Sequence, residues 1–219
     1  PEPAFYRQTL KDGSPVNSIG QLCSPDRLCI GMTRHCVFWK QDRRCTSCTI
    51  GTNIAAEHRE KTVENIVEAV RIAATDPIQP AKHVLIGGGT PNDHDRGAVF
   101  AAAVSRAIKA AMDISIYVMI APPSDLGNIR RLHDAGVDEL GMNVEFFSRA
   151  ALELHTPGKF ALVGVDHHYR ALQEAVSIFG PVNTRSIAIV GIEPAKETIG
   201  GCSRLAQMGV MPILTPFQP

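Results

Sequence analysis

Cys36, Cys45 and Cys48 are spaced C-x8-C-x2-C. Two thiolates separated by two residues can grip one metal ion or two corners of a cluster, and a third across a loop completes a three-point attachment. Three protein ligands leave one iron of a four-iron cluster open to an outside molecule, which a catalytic cluster needs and a four-cysteine electron carrier lacks. The loop admits two further readings. A structural zinc site would take Cys29 as the better fourth ligand, because adjacent His35 and Cys36 seldom ligate one ion comfortably. A redox C-x2-C dithiol is the other.

The elements around this loop alternate β-rich apolar runs with helical patterns, which is the signature of βα units and a parallel sheet. Leu28 to Met32 is the first strand. Val63, Ile66, Val67 and Val70 share one face of the first clear helix. A strand over His83 to Ile86 ends in Gly87, Gly88 and Gly89; a helix follows over Arg96 to Met112, then a strand over Ile114 to Ile120. Ser124 is a candidate cap for the next helix, which holds Ile129 and Leu132 and stops at Gly136. Ala135-Gly136-Val137 and Met208-Gly209-Val210 repeat one corner, a helix closed by a left-handed glycine before an apolar strand. Those strands are Glu139 to Val144 and Met211 to Thr215; Ser186 to Val190 forms another after the helix around Leu172 and Val176. The expected fold is α/β, a partial (β/α)6 TIM-like barrel of parallel strands, whose reactive groups sit at the carboxyl edge of the sheet. Residues 1–26 form an N-terminal arm and 27–219 the barrel, with a further C-terminal segment as one reading of the abrupt end at Pro219.

With these motifs in order, the chain resembles the radical S-adenosylmethionine superfamily, in particular its biotin-synthase-like branch, from Leu28 to Pro219. The cysteine loop is similar to a variant of that family's cluster motif, with a first interval of eight residues where three is common. Ile86-Gly87-Gly88-Gly89-Thr90-Pro91 stands where such enzymes keep a Gly-Gly-Glu-like turn, with Thr90 in place of the acid. Gly141-Met142-Asn143-Val144-Glu145 matches the end of the fourth strand, and Ile189-Val190-Gly191-Ile192-Glu193-Pro194 follows the fifth. Leu214-Thr215-Pro216-Phe217 resembles the sixth-strand edge.

The resemblance implies a [4Fe-4S] cluster on Cys36, Cys45 and Cys48, and S-adenosylmethionine held by Gly87, Gly88, Gly89, Thr90, Asn143, Glu145, Gly191 and Ile192. The glycines let the backbone approach the methionine moiety. Asn143 and Glu145, two apart on one strand face, would take ribose hydroxyls or an ammonium group. Ile192 would pack on the adenine, and Lys159 could meet a carboxylate. The implied activity is reductive cleavage of S-adenosylmethionine, giving a radical that takes hydrogen from a small-molecule substrate, with an external electron donor of flavodoxin or ferredoxin type. A zinc-dependent barrel hydrolase or lyase, or a non-enzymatic metal-cluster-binding protein, are the alternatives; no catalytic residue beyond the cofactor set is assigned.

Bulk properties narrow the classes. Lys plus Arg and Asp plus Glu are equal at 22 each over 219 residues, so no net field gathers nucleic acid. No apolar run is long enough to cross a bilayer, and the first residues lack a secretory pattern, so a cytoplasmic location is expected. Five of the six cysteines crowd between Cys23 and Cys48, which suits a metal site better than a disulfide scaffold. Cys23 and Cys29 are read as second-metal ligands, substrate-maturing thiols or small hydrophobes, and Cys202 as packed or exposed. His94 is the histidine placed nearest the site, His167-His168 a helix start, and Arg149 an approach from the fourth-strand loop or a solvated side chain.

Overall fold

The computed structural model describes residues 2–33, 35–50 and 61–217, and a period of two along each strand decides how it is layered. The strands are β1 (Gly20–Leu22), β2 (Arg27–Gly31), β3 (His83–Gly87), β4 (Ser115–Met119), β5 (Glu139–Gly141), β6 (Thr184–Val190) and β7 (Met211–Pro216). They form one sheet in sequential order, parallel from β2 to β7, with β1 antiparallel on β2. Leu28, Ile30, Val84, Ile86, Ile116, Val118 and Leu140 all point to one side and are buried in the main core. Their alternates Arg27, Cys29, Leu85, Tyr117, Glu139 and Arg185 face the concave side. That is the expected partial barrel of six parallel strands, open because β1 and β7 are not paired with each other.

Helices α1 (Val16–Ile19), α2 (Val37–Lys40), α3 (Val63–Ala74), α4 (His94–Ala111), α5 (Gly127–Asp134), α6 (Arg149–His155), α7 (Pro157–Val163), α8 (Val165–Phe179) and α9 (Ala195–Gln207) connect the strands. Ile66 and Val70 of α3, Val104 and Ile108 of α4, Ile129 and Leu132 of α5, and Leu172 of α8 complete the core on the convex side. Local chemistry fixes the ends. The Thr62 side chain accepts from the Asn65 N–H and starts α3, and Asp93 does the same for Asp95 at α4. Gly136 and Gly209 adopt φ of +86° and +84°, closing their helices in the left-handed region as expected. Ser124 does not cap α5; the Asp125 carboxylate accepts from the Gly127 N–H at 2.9 Å instead, one residue further on.

Two features depart from the sequence reading. Residues 2–26 are knitted into the barrel: Phe5, Leu10, Val16 and Ile19 belong to the main core, and Gly20–Leu22 extends the sheet by a seventh, antiparallel strand. The buried Asp76 carboxylate ties this segment down by accepting from the Phe5 N–H at 2.6 Å. Burial opposes its ionisation, but the N–H groups of Gln79, Ile78, Phe5 and Ala4 outweigh that and hold its pKa below the usual carboxylate value. The fourth parallel strand is also shorter than expected. It ends at Gly141; beyond it the Val144 N–H donates to Ser186 Oγ and Asn143 Oδ1 accepts from the Ile187 N–H, and Glu145, at φ +72°, keeps only an isolated bridge to Ala188. No helix among the described residues is long and apolar enough to cross a membrane.

Candidate functional site

The eight-residue interval between Cys36 and Cys45 is taken up by a helical turn. Cys36 is the residue before α2, and Asp42, at φ +54°, reverses the chain so that Cys45 returns toward Cys36. Backbone bonds clamp the loop on two sides. The Val37 N–H donates to the Thr90 carbonyl at 2.8 Å, tying the loop to the glycine turn. The Gly158 N–H donates to Arg43 O and the Thr46 N–H to His155 O, tying it to the α6–α7 corner. Phe38 is buried beneath the loop against Gly158, where a side chain in place of glycine would strike its ring.

Glycine is required at the turn that faces this loop. Gly88 sits at φ +143°, and an added Cβ would lie 2.8 Å from the Thr33 carbonyl oxygen. A Cβ on Gly89 would run into the His35 carbonyl and come within 3.0 Å of the Cys36 Cβ. The close approach of two backbones, from the ends of β2 and β3, is therefore what Gly88 and Gly89 permit, while Gly87 lies against the Met119 carbonyl of β4.

The carboxyl edges of three parallel strands, β3 to β5, and the cysteine loop enclose one cavity of ≈ 260 Å³. Cys36, Cys45 and Cys48 line it together with Gly88, Gly89, Thr90, Asn143 and Glu145. The structure thus gathers eight of the eleven expected site residues on a single space. Gly87 borders the neighbouring cavity on the concave face. Gly191 and Ile192 lie outside the lining, with Ile192 packed in a satellite cluster around Phe146, Leu152 and Ile189. Arg149 points to solvent and pairs with Glu153 at 2.8 Å, and the side chain of His94 is outside the described set. Lys159, Met119, Ile120 and Ala121 also line the cavity. The last three end β4, so the strand-edge rule pointed to their position, although their apolar side chains gave no chemical signal.

A buried ion pair crosses the cavity wall. The Lys159 ammonium lies 2.8 Å from Glu145 Oε1, with side chains only 14% and 15% exposed, and donates to the Asn143 carbonyl at 3.2 Å. Burial disfavours the ammonium, but Glu145, Cys45 and Cys48 outweigh that and raise its pKa above the ordinary value. Glu145 Oε2 is buried with no hydrogen-bond partner. A carboxylate oxygen stripped of water and left unsatisfied beside a cavity is an acceptor waiting for a donor. Asn143 is held in place from both ends of its amide: Oδ1 accepts from the Ile187 N–H at 3.1 Å, and Nδ2 donates to Met119 Sδ at 3.3 Å.

Burial pushes the Cys45 thiol up to about 12, Lys159 opposes this, and Glu145, Cys48 and Cys36 add to it. Among the described residues no three His, Cys, Asp or Glu side chains converge closely enough to hold a single metal ion. The three thiols instead ring a space, which suits the several irons of a cluster. Cys29 is not free to be the fourth ligand of a zinc site, because it is bonded to Cys23 in a disulfide. That bond also corrects the reading of this pair as free hydrophobes or ligands of a second metal; β1 and β2 bring them together as neighbours in a hairpin.

Residues 34–197 match the Radical SAM superfamily, and the chain belongs to that family. Members of the superfamily use a [4Fe-4S] cluster and S-adenosylmethionine, and the three thiols, the unsatisfied Glu145 oxygen and the glycine cradle fit such a pair. A bacteriochlorophyllide c C-7(1)-hydroxylase of Chlorobaculum limnaeum is 24% identical over 96% of this chain, which spans 57% of that protein. Among solved structures, methylornithine synthase superposes with a TM-score of 0.66 at 13% identity, covering 88% of this chain and 53% of its own. A maturase of the [FeFe]-hydrogenase gives 0.65 at 18% identity, over 89% and 43%. These likenesses show the partial-barrel fold, and the chain spans about half the length of the proteins it matches.

Proposed function

We propose that this chain is the catalytic barrel of an enzyme that holds a [4Fe-4S] cluster on Cys36, Cys45 and Cys48 and binds S-adenosylmethionine beside it. When bound, that pair supplies reductive cleavage to methionine and a 5'-deoxyadenosyl radical, which takes a hydrogen atom from a small-molecule substrate in the barrel. The observation that carries this reading is the meeting of three thiols, a glycine cradle and an unsatisfied buried carboxylate oxygen on one cavity.

The protein's own residues then have distinct tasks. The Gly88-Gly89-Thr90 backbone lies against the methionine portion, where a side chain would not fit. Glu145 Oε2 accepts from a cofactor ammonium or ribose hydroxyl and so satisfies its missing bond. Lys159 offsets the negative charge of three thiolates and one carboxylate, which would otherwise repel one another in a low-dielectric wall. Gly191 and Ile192 approach the adenine once it is in place. Exposed Lys40 and Arg44 on the cysteine loop offer a cationic landing for an acidic one-electron donor of the flavodoxin or ferredoxin type.

The test is anaerobic reconstitution with iron and sulfide, followed by reduction with S-adenosylmethionine and mass spectrometry for 5'-deoxyadenosine. Wild type should form it, and Cys45→Ala or Cys48→Ala should not. Retained cleavage by either variant would remove these thiols from the cluster.

A further inference from the structure

A second cavity, of ≈ 300 Å³, lies on the concave face and is lined by Cys23, Cys29, Leu85, Gly87, Gly88 and Met119. Gly88 and Met119 also line the cysteine-ringed cavity. The two spaces therefore share a wall made of one glycine and one flexible thioether. Cys29 reaches this space from the middle of β2, next to Leu28 and Ile30 of the main core. Cys23 follows β1, hydrogen-bonds through its N–H to Arg27 O, and is exposed to solvent. The other side chains lining the cavity are aliphatic, a thioether and the Gln21 amide. None of those bears an S–H or O–H hydrogen.

We propose that Cys23 and Cys29 are a redox dithiol that gives a hydrogen atom to a carbon radical in the barrel, with Cys29 the donor and Cys23 its resolving partner. This rests on the radical reading above and adds to it a fate for the radical. In the reduced protein the Cys29 S–H bond breaks and a C–H bond forms, which leaves a sulfur-centred radical on Cys29. The Cys23 thiol loses its proton to solvent and bonds to that sulfur. The surplus electron leaves for a one-electron acceptor, a role that an oxidised iron-sulfur cluster held by Cys36, Cys45 and Cys48 would fill. The sum is one S-adenosylmethionine and two thiols converted to methionine, 5'-deoxyadenosine, one disulfide and one proton, whether the radical quenched is the 5'-deoxyadenosyl radical or one it has made on a substrate. The disulfide in the structure is the oxidised end of that cycle, and an external dithiol reaches it through exposed Cys23.

A structural staple between β1 and β2 would account for the bond alone, so the test separates the two. Cluster-free protein is treated with dithiothreitol under native conditions and alkylated. A redox pair should acquire label on both Cys23 and Cys29 with its melting transition nearly unmoved; a bridge that opens only on unfolding overturns the proposal. Reconstituted, dithiol-reduced protein is then given S-adenosylmethionine and dithionite in D2O, with the 5'-deoxyadenosyl radical itself as the probe. Wild type should form 5'-deoxyadenosine carrying solvent deuterium and regain the Cys23–Cys29 bond. Cys29→Ala should still form 5'-deoxyadenosine but lose the deuterium, and Cys23→Ser should keep the deuterium without the bond. Equal deuterium in wild type and Cys29→Ala sinks the dithiol while leaving cofactor cleavage standing. Absence of 5'-deoxyadenosine in wild type sinks the cleavage reading, and the dithiol with it.

Discussion

Replacing Lys159 by Met should destabilise the protein out of proportion to the change in shape. The ammonium sits 2.8 Å from Glu145 Oε1 with the two side chains only 14% and 15% exposed, so water cannot take over when it is removed. The second carboxylate oxygen already has no partner, and the variant would leave the whole Glu145 carboxylate buried and unpaired. Breaking a buried pair by removing one member costs about 3–5 kcal/mol. For a chain of this size that corresponds to roughly 6–20 °C in Tm. Removing both charges in Lys159→Met/Glu145→Gln should recover much of the loss, because no unpaired charge remains. Urea unfolding of the cluster-free single and double variants reads both quantities. A single variant within about 0.5 kcal/mol of wild type, or a double variant whose loss equals the sum of the singles, would refute the buried-pair argument.

Gly89→Ala should fold but fail to hold iron, because its Cβ would displace the His35 carbonyl and press on Cys36; wild-type iron content in the variant would contradict the cradle. The buried His168 donates to the Met142 carbonyl from Nε2 at 3.2 Å. Burial, helped by the nearby Lys159 charge, holds its pKa down at about 3 against 6.5. The unfolded chain therefore binds a proton that the folded chain refuses, so this contribution is complete above pH 6.5 and is lost progressively as pH falls toward 3. Melting curves across that window should show a shallower acid slope for His168→Gln than for wild type, and parallel slopes would show that His168 is not the group responsible.

The core of the fold was legible because its signals are local. The apolar, β-rich runs Leu28 to Met32 and His83 to Ile86, and the glycine corners at Gly136 and Gly209, specify strands and helix stops without reference to distant residues. The misses depend on distance. Gly20–Leu22 is too short and too weakly patterned to announce a strand, and becomes one only because β2 offers an edge. Cys23 and Cys29 are six apart in sequence, and only the hairpin makes them partners. Asn143 and Glu145 were expected on one strand face; the strand ends earlier, at Gly141, yet both side chains still border the cavity. Ile192 illustrates the opposite case, an apolar residue whose packing against Phe146 and Ile189 no spacing rule reveals.

The central claim is a cluster with one iron left open by three cysteines, and electron paramagnetic resonance tests it most directly. Anaerobically reconstituted, dithionite-reduced protein should show the signal of a reduced [4Fe-4S] cluster, and adding S-adenosylmethionine should change its shape as the open iron gains ligands. A reduced-cluster signal that S-adenosylmethionine leaves untouched, or protein that retains no iron, would contradict the account.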